Sequence, residues 1–159
     1  MIKVGDKLPD VAFNAPTPEG MKPMTTKDVF GGKRVALFAV PGAFTPTCSA
    51  RHLPSFREKA AELKAKGIDR IACTAVNDHF VMNAWAKEQN VGADIMMLAD
   101  GSGEFARAIG LDADFSKFGM GARSKRYSMI VKDGVVETLN VEEGGEYKVS
   151  SAEHMLGQL

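Results

Sequence analysis

The apolar run Val35-Ala36-Leu37-Phe38-Ala39-Val40 leads without a break into Pro41-Gly42-Ala43-Phe44-Thr45-Pro46-Thr47-Cys48. A short continuous apolar run bounded by turn residues reads as a buried strand. The residues after the turn read as a helix start. Thr45 suits the N-cap, and Pro46 suits the first helical position, where its missing N–H would be unpaired in any case. Counting on, Cys48 falls at the third helical position. A strand that feeds straight into a helix confines the chain to α/β layouts. It also places the sulfur where free backbone N–H groups and the helix dipole favour an anion. The thiolate is the reactive form of cysteine, and the carboxyl end of a strand is where α/β folds set their ligands. Cys48 is therefore the candidate nucleophile, and this position predicts a partly exposed sulfur.

The rest of the chain supports that layout. A strand is expected around Val11–Phe13, then a Pro- and Gly-rich surface loop from Asn14 to Pro23. Arg34–Val40 is the strand that carries the Cys48 helix. Pro54 should kink that helix, after which Phe56, Ala60 and Leu63 form a one-sided apolar stripe ended by Gly67. Ile71–Val76 and Ile95–Leu98 read as further buried strands. Between them Asn77 or Asp78 caps a helix reaching Gln89, with Val81, Ala84 and Trp85 facing inward. Ser102 is the expected cap of a short helix carrying Phe105 and Ile109 and stopped at Gly110. Strands Tyr127–Lys132 and Val135–Asn140 flank the hairpin dipeptide Asp133-Gly134. Ser150-Ser151-Ala152-Glu153 has the pattern of a capping box for a terminal helix. Alternating strands and helices followed by a hairpin and a helix give a mixed sheet with helices on both faces. The expected fold is a thioredoxin-like α/β domain spanning residues 1–159.

Charge excludes several function classes. Lys plus Arg and Asp plus Glu both number 20, for a formal net charge of zero, so no basic excess exists to hold nucleic acid or an anionic membrane. The cluster Arg123-Ser124-Lys125-Arg126 is too short to change this. No stretch approaches the roughly 18 apolar residues of a membrane span, and the first residues lack a signal peptide's apolar core. Two cysteines do not make a secreted disulfide framework. The expectation is a soluble cytoplasmic protein.

Other candidates are weaker. Cys73 alternates with Ile71 and Ala75 on a buried strand, where apolar surroundings make a thiol inert; a Cys48–Cys73 disulfide stays open at this point. His52 follows Cys48 by four, so its imidazole could share a helical face with the sulfur and tune it. That leaves a Cys–His hydrolase as an alternative. His79 and His154 carry no pattern, and no zinc-ligand spacing is present. Gly101-Ser102-Gly103-Glu104-Phe105-Ala106 fits a dinucleotide fingerprint in letters only, because its short helix lacks the βαβ context that the fingerprint needs. No metal or cofactor is expected. Arg126, just before the strand at Tyr127, could point from a strand end toward Cys48 and favour the thiolate.

The run Pro41–Cys48 closely resembles the peroxidatic site of peroxiredoxins, Pro-x-x-x-Thr-x-x-Cys. Together with Val76-Asn77-Asp78 and Arg123-Ser124-Lys125-Arg126-Tyr127 it is similar to the type-five branch, called type II in plants. The resemblance covers nearly the whole chain and implies the same thioredoxin-like fold. It implies that Cys48 attacks the peroxide, that Thr45 orients peroxide and sulfur, that Arg126 stabilises the thiolate and the developing charge, and that Pro41 shields the sulfur from water. It also singles out Arg126 over Arg123 or Lys125.

The chain departs from part of that branch. Some members carry a resolving cysteine late in the chain, where this sequence reads Gly-Gly-Glu-Tyr-Lys-Val-Ser-Ser from Gly144 to Ser151. The resemblance thus implies a one-cysteine cycle: hydroperoxide oxidises Cys48 to a sulfenic acid, and an external thiol regenerates it. Glutathione with glutaredoxin, or thioredoxin, is the implied reductant, and a homodimer the implied assembly. Two rivals stand beside it, a thioredoxin-like disulfide oxidoreductase and a non-enzymatic redox sensor. The first normally uses C-x-x-C, whereas Cys48 is followed by Ser49-Ala50-Arg51.

Overall fold

The computed structural model describes residues 1–17 and 19–159. The elements, in chain order, are β1 (Ala12–Thr17), β2 (Gly20–Thr25), α1 (Thr26–Phe30), β3 (Arg34–Ala39), α2 (Leu53–Ala65), β4 (Arg70–Ala75), α3 (His79–Glu88) and β5 (Ile95–Ala99). They continue with α4 (Glu104–Ala108), β6 (Asp112–Asp114), β7 (Ala122–Ser124), β8 (Tyr127–Lys132), β9 (Val135–Val141) and α5 (Ala152–Leu156). Seven strands form one mixed sheet in the order β2-β1-β5-β4-β3-β8-β9, and β6 pairs with β7 apart from it. Strands β3, β4 and β5 run parallel, and β8 runs antiparallel to β3.

The strand alternation splits the core in two. Ala36, Phe38, Ile71, Cys73 and Met97 face Phe56 and Leu63 of α2, Trp85 of α3 and Met155 of α5. Val35, Leu37, Ala72, Leu98 and Met129 face Phe30 of α1 and Phe105 of α4. Continuous apolar runs in β3 and β4 are what a strand buried on both faces requires. The sheet thus has helices on both faces, as the sequence predicts.

Several local expectations need correction. The loop expected over Asn14–Pro23 is largely the β1–β2 hairpin, although Pro18 lies outside the described residues. Pro23 sits on the edge strand, where a missing N–H costs no ladder bond. In α3 the buried face is Met82 and Trp85, whereas Ala84 is exposed, because the helix starts at His79 under the Asp78 cap. Ser102 does not cap α4. Asp100 does, its two carboxylate oxygens accepting from Phe105 N (3.1 Å) and Ala106 N (3.0 Å). A carboxylate therefore occupies the donors that a phosphate would need at Gly101–Ala106. The α5 cap is Ser151, accepting from His154 N at 3.1 Å, so Ser150 and Glu153 form no capping box. At the β8–β9 turn, Asp133 and Gly134 take φ values of 48° and 80°, the left-handed pair a two-residue hairpin needs.

Candidate active site

The register of the sheet builds the site. Ala39, the last residue of β3, pairs with Tyr127, the first of β8. Arg126 therefore arrives beside the turn that succeeds β3. The helix leaving that turn begins at Pro46, becomes a π turn over Cys48–His52, and continues as α2. Pro54 accounts for the π turn. A proline ring clashes with the carbonyl four residues back in a regular helix, and a wider turn just upstream, with Leu53 N donating to Cys48 O, relieves this.

Two groups pin the turn itself. Ala43 N donates to the Asn77 side-chain oxygen at 2.9 Å, and Thr45 Oγ1 donates to Gly42 O at 2.7 Å. Thr45 thus starts the helix without capping it by its side chain; its backbone oxygen accepts from Ser49 N at 2.9 Å. Phe44 holds a φ of 65°, a left-handed conformation costly for a bulky residue. Pro41 is half-buried at the mouth of the turn. Trp85 Nε1 donates to Ser49 Oγ at 2.9 Å and ties α3 to the residue after Cys48.

Arg126 joins the parts. Its Nη2 donates to Cys48 Sγ at 3.0 Å, and its Nη1 lies 2.8 Å from His52 Nδ1. His52 Nε2 in turn lies 2.8 Å from Ser150 O. Both imidazole nitrogens are thereby used, and neither bonds the sulfur, so His52 does not form a dyad with Cys48. Burial first, and the Arg126 charge second, push the His52 pKa down to about 3. The ring is neutral, with Nδ1 accepting from the guanidinium and Nε2–H donating to Ser150.

Cys48 is fully buried, contrary to the exposure expected of it. Cys48 belongs to the core cluster that also holds Val40, Leu53 and Trp85, and its sulfur accepts from the buried Arg126 guanidinium. Arg126 itself is buried at 9% exposure. A guanidinium out of bulk water is a strong donor to a thiolate, since charge-assisted hydrogen bonds are roughly twice as strong as neutral ones. Cys73 lies on the same face of the sheet, and both cysteines are free thiols. Burial pushes the Cys73 thiol up well above its ordinary range, with the nearby Cys48 adding to the effect. Cys73 thus lies in the buried strand expected of it, with its thiol disfavoured from ionising. Among the described residues, no group of three or more His, Cys, Asp or Glu side chains is arranged to hold a metal ion, and no helix is long and apolar enough to cross a membrane.

Of the four residues singled out by the sequence, the structure brings Arg126 onto Cys48 and sets Pro41 and Thr45 in the turn ahead of it. Sequence reasoning missed Ser150, Glu142 and Asn77 as members of the surroundings. In the sequence Asn77 reads as a helix cap, and nothing in a linear pattern distinguishes that from pinning a distant turn.

A cysteine at a helix start, under a buried guanidinium at the carboxyl end of a strand, defines a reactive-thiol protein. Residues 3–156 match the Redoxin family model. The chain is 52% identical to Peroxiredoxin-2E-2, chloroplastic, of Oryza sativa subsp. japonica, over 99% of this chain and 72% of that one. It is 46% identical to Peroxiredoxin-2B of Arabidopsis thaliana, over 99% and 98%. The crystal structure of reduced Prx3 from Vibrio vulnificus in complex with hydrogen peroxide superposes with a TM-score of 0.95 at 51% identity, covering 99% of both chains. The chain belongs to the peroxiredoxins, within the redoxin family.

Proposed function

We propose that this peroxiredoxin reduces hydrogen peroxide and organic hydroperoxides through Cys48 and is regenerated by an external thiol. The contact of Arg126 Nη2 with Cys48 Sγ at 3.0 Å carries the reading. The thiolate attacks the terminal peroxide oxygen, the O–O bond breaks, and the leaving oxygen takes a proton to give water or an alcohol. Cys48 keeps the other oxygen as a sulfenic acid. Charge moves from sulfur to the departing oxygen along this path, and Arg126 has donors beyond the one on sulfur to track it. The Thr45 hydroxyl spends its proton on Gly42 O. Its oxygen is thereby left as an acceptor for the peroxide O–H, which orients the substrate. Pro41, at the mouth of the turn, screens the sulfur from water.

The sulfenic acid then condenses with one thiol, releasing water and forming a mixed disulfide, and a second thiol displaces Cys48. Cys73 is sealed in the core, and the segment from Gly144 to Ser151 holds no cysteine. The reductant is therefore external, with glutathione and glutaredoxin ahead of thioredoxin. Free thiols suit a reducing compartment such as the cytoplasm. The exposed Phe44, Phe80 and Phe118 give a second copy apolar surface to cover in a homodimer.

Stopped-flow decay of peroxide with excess glutathione and glutaredoxin tests the proposal. Catalytic consumption that Cys48→Ser abolishes is expected. Consumption that stops at one equivalent would instead make the protein a redox sensor.

A further inference from the structure

Arg126 is not held by its place ahead of β8 alone. Its Nη1 needs a lone pair, and His52 Nδ1 offers one only while the imidazole is neutral and carries its proton on Nε2. That tautomer is set by the partner of Nε2, the carbonyl of Ser150 at 2.8 Å. The carbonyl is fixed in turn by an unusual convergence. Glu142 Oε2 accepts from Lys148 N (2.8 Å), Val149 N (2.9 Å), Ser150 N (2.8 Å) and Ser150 Oγ (2.6 Å). Burial alone would push the Glu142 carboxyl up, but the bonds from Ser150, Lys148 and Val149 outweigh it and hold the group below its ordinary range. The carboxylate is thus the organising centre of residues 142–150. Its own backbone N–H donates to Arg126 O at 3.0 Å, so the far end of this path lies beside its start.

We propose that Glu142 is a remote positioning residue for the reactive sulfur, acting through Ser150, the His52 tautomer and Arg126. The proposal rests on the peroxidase reading for its use but not for its readout. On this account residues 144–150 serve the site as an anchor: they hold the imidazole that aims the guanidinium. Tyr147 covers the same imidazole with ring centroids 5.2 Å apart, and the Arg126 guanidinium carbon lies 6.0 Å from the tyrosine ring centroid.

The test is a double-mutant cycle on His52→Phe and Glu142→Gln, read by the rate at which iodoacetamide alkylates Cys48 at pH 7. His52→Phe should slow alkylation about tenfold, the scale of one charge-assisted hydrogen bond. Glu142→Gln should slow it severalfold, and the double variant no more than His52→Phe alone, because the two lie on one path. Additive losses, or a wild-type rate in either single variant, would overturn the proposal. Ser151→Ala weakens the α5 cap nearby without touching the path. It should lower the melting temperature and leave alkylation unchanged; a loss equal to that of Glu142→Gln would reduce the effect to general loosening and sink the idea. Should His52→Phe fail to fold, ¹⁵N spectra of the wild-type imidazole decide: a neutral ring protonated on Nε2 from pH 5 to 8 supports the path, and titration in that range or the other tautomer refutes it. Neither measurement needs peroxide turnover, so failure here leaves the proposed activity standing, and failure of that activity leaves these readouts intact.

Discussion

Arg126 Nη2 lies 3.0 Å from Cys48 Sγ although 78 residues separate the two in the chain. The antiparallel pairing of β3 with β8 makes the contact, because it ends with Ala39 opposite Tyr127 and delivers the preceding arginine to the turn. The cation is a property of the sheet register, and the sulfur is a property of the helix start. Their meeting can be tested residue by residue.

Arg126→Met should lower kcat/KM for peroxide by about 10² to 10³, the usual cost of losing one preorganised donor to developing charge. Iodoacetamide should also label Cys48 more slowly at neutral pH. Arg126→Lys should recover only part of either rate, since a point charge cannot serve Cys48 and His52 in the same plane. Full activity in Arg126→Met would remove the guanidinium from the mechanism.

Thr45→Ser should stay within severalfold of wild type in steady-state peroxide assays, because the hydroxyl and its bond to Gly42 O survive. Thr45→Val, of similar size but without the oxygen, should lose about 10² in kcat/KM. Equal behaviour of the two variants would show that the side chain acts by shape alone.

Cys73→Ser should retain peroxide turnover while losing about 1 to 3 kcal/mol of stability in urea titrations, because a hydroxyl replaces a thiol in a fully buried apolar site. Loss of turnover equal to that of Cys48→Ser would mean that the two sulfurs share the cycle.

Acid should destabilise the fold through His52. The ring ionises near 6.5 when unfolded and is pushed down to about 3 when folded. Its contribution is therefore complete above pH 6.5 and is lost as pH falls toward 3, at up to roughly 1.4 kcal/mol per pH unit. Arg126 and Tyr147 face the ring, and Arg51 lies over Tyr147. Glu142 and Asp100 also titrate on the acid side, so the quantity to measure is the difference between wild type and His52→Phe in urea titrations from pH 7 to 4. A pH-independent difference would contradict the neutral buried ring.

Legibility in the sequence tracks the range of each interaction. The apolar run of β3, the Thr45-Pro46 helix start and the position of Cys48 on it are local, and the structure keeps all of them. The Asp133-Gly134 hairpin is equally plain, because only a few residue pairs accept two left-handed conformations in succession. His52 is visible as a neighbour of Cys48, but its partner is not. The i, i+4 argument assumes a regular helix, and the π turn ahead of Pro54 breaks that assumption. Asp100 and Asn77 escape for a related reason. The Asp100 carboxylate, several residues before α4, satisfies the backbone donors of a cap without the cap's spacing, and Asn77, in the loop after β4, bonds Ala43 N in a turn distant in the chain. The buried sulfur departs furthest from expectation, since composition around it is polar and only packing shows the closure.

Pro54 has one further effect. Because it donates no hydrogen bond, the carbonyls of the π turn are tied to α2 by fewer links than an ordinary helix would supply. The ladder is therefore thinnest where the sulfur-bearing turn joins α2, and side chains from elsewhere make up the difference: Trp85 holds Ser49, Arg126 holds Cys48, and the Ser150 carbonyl holds His52.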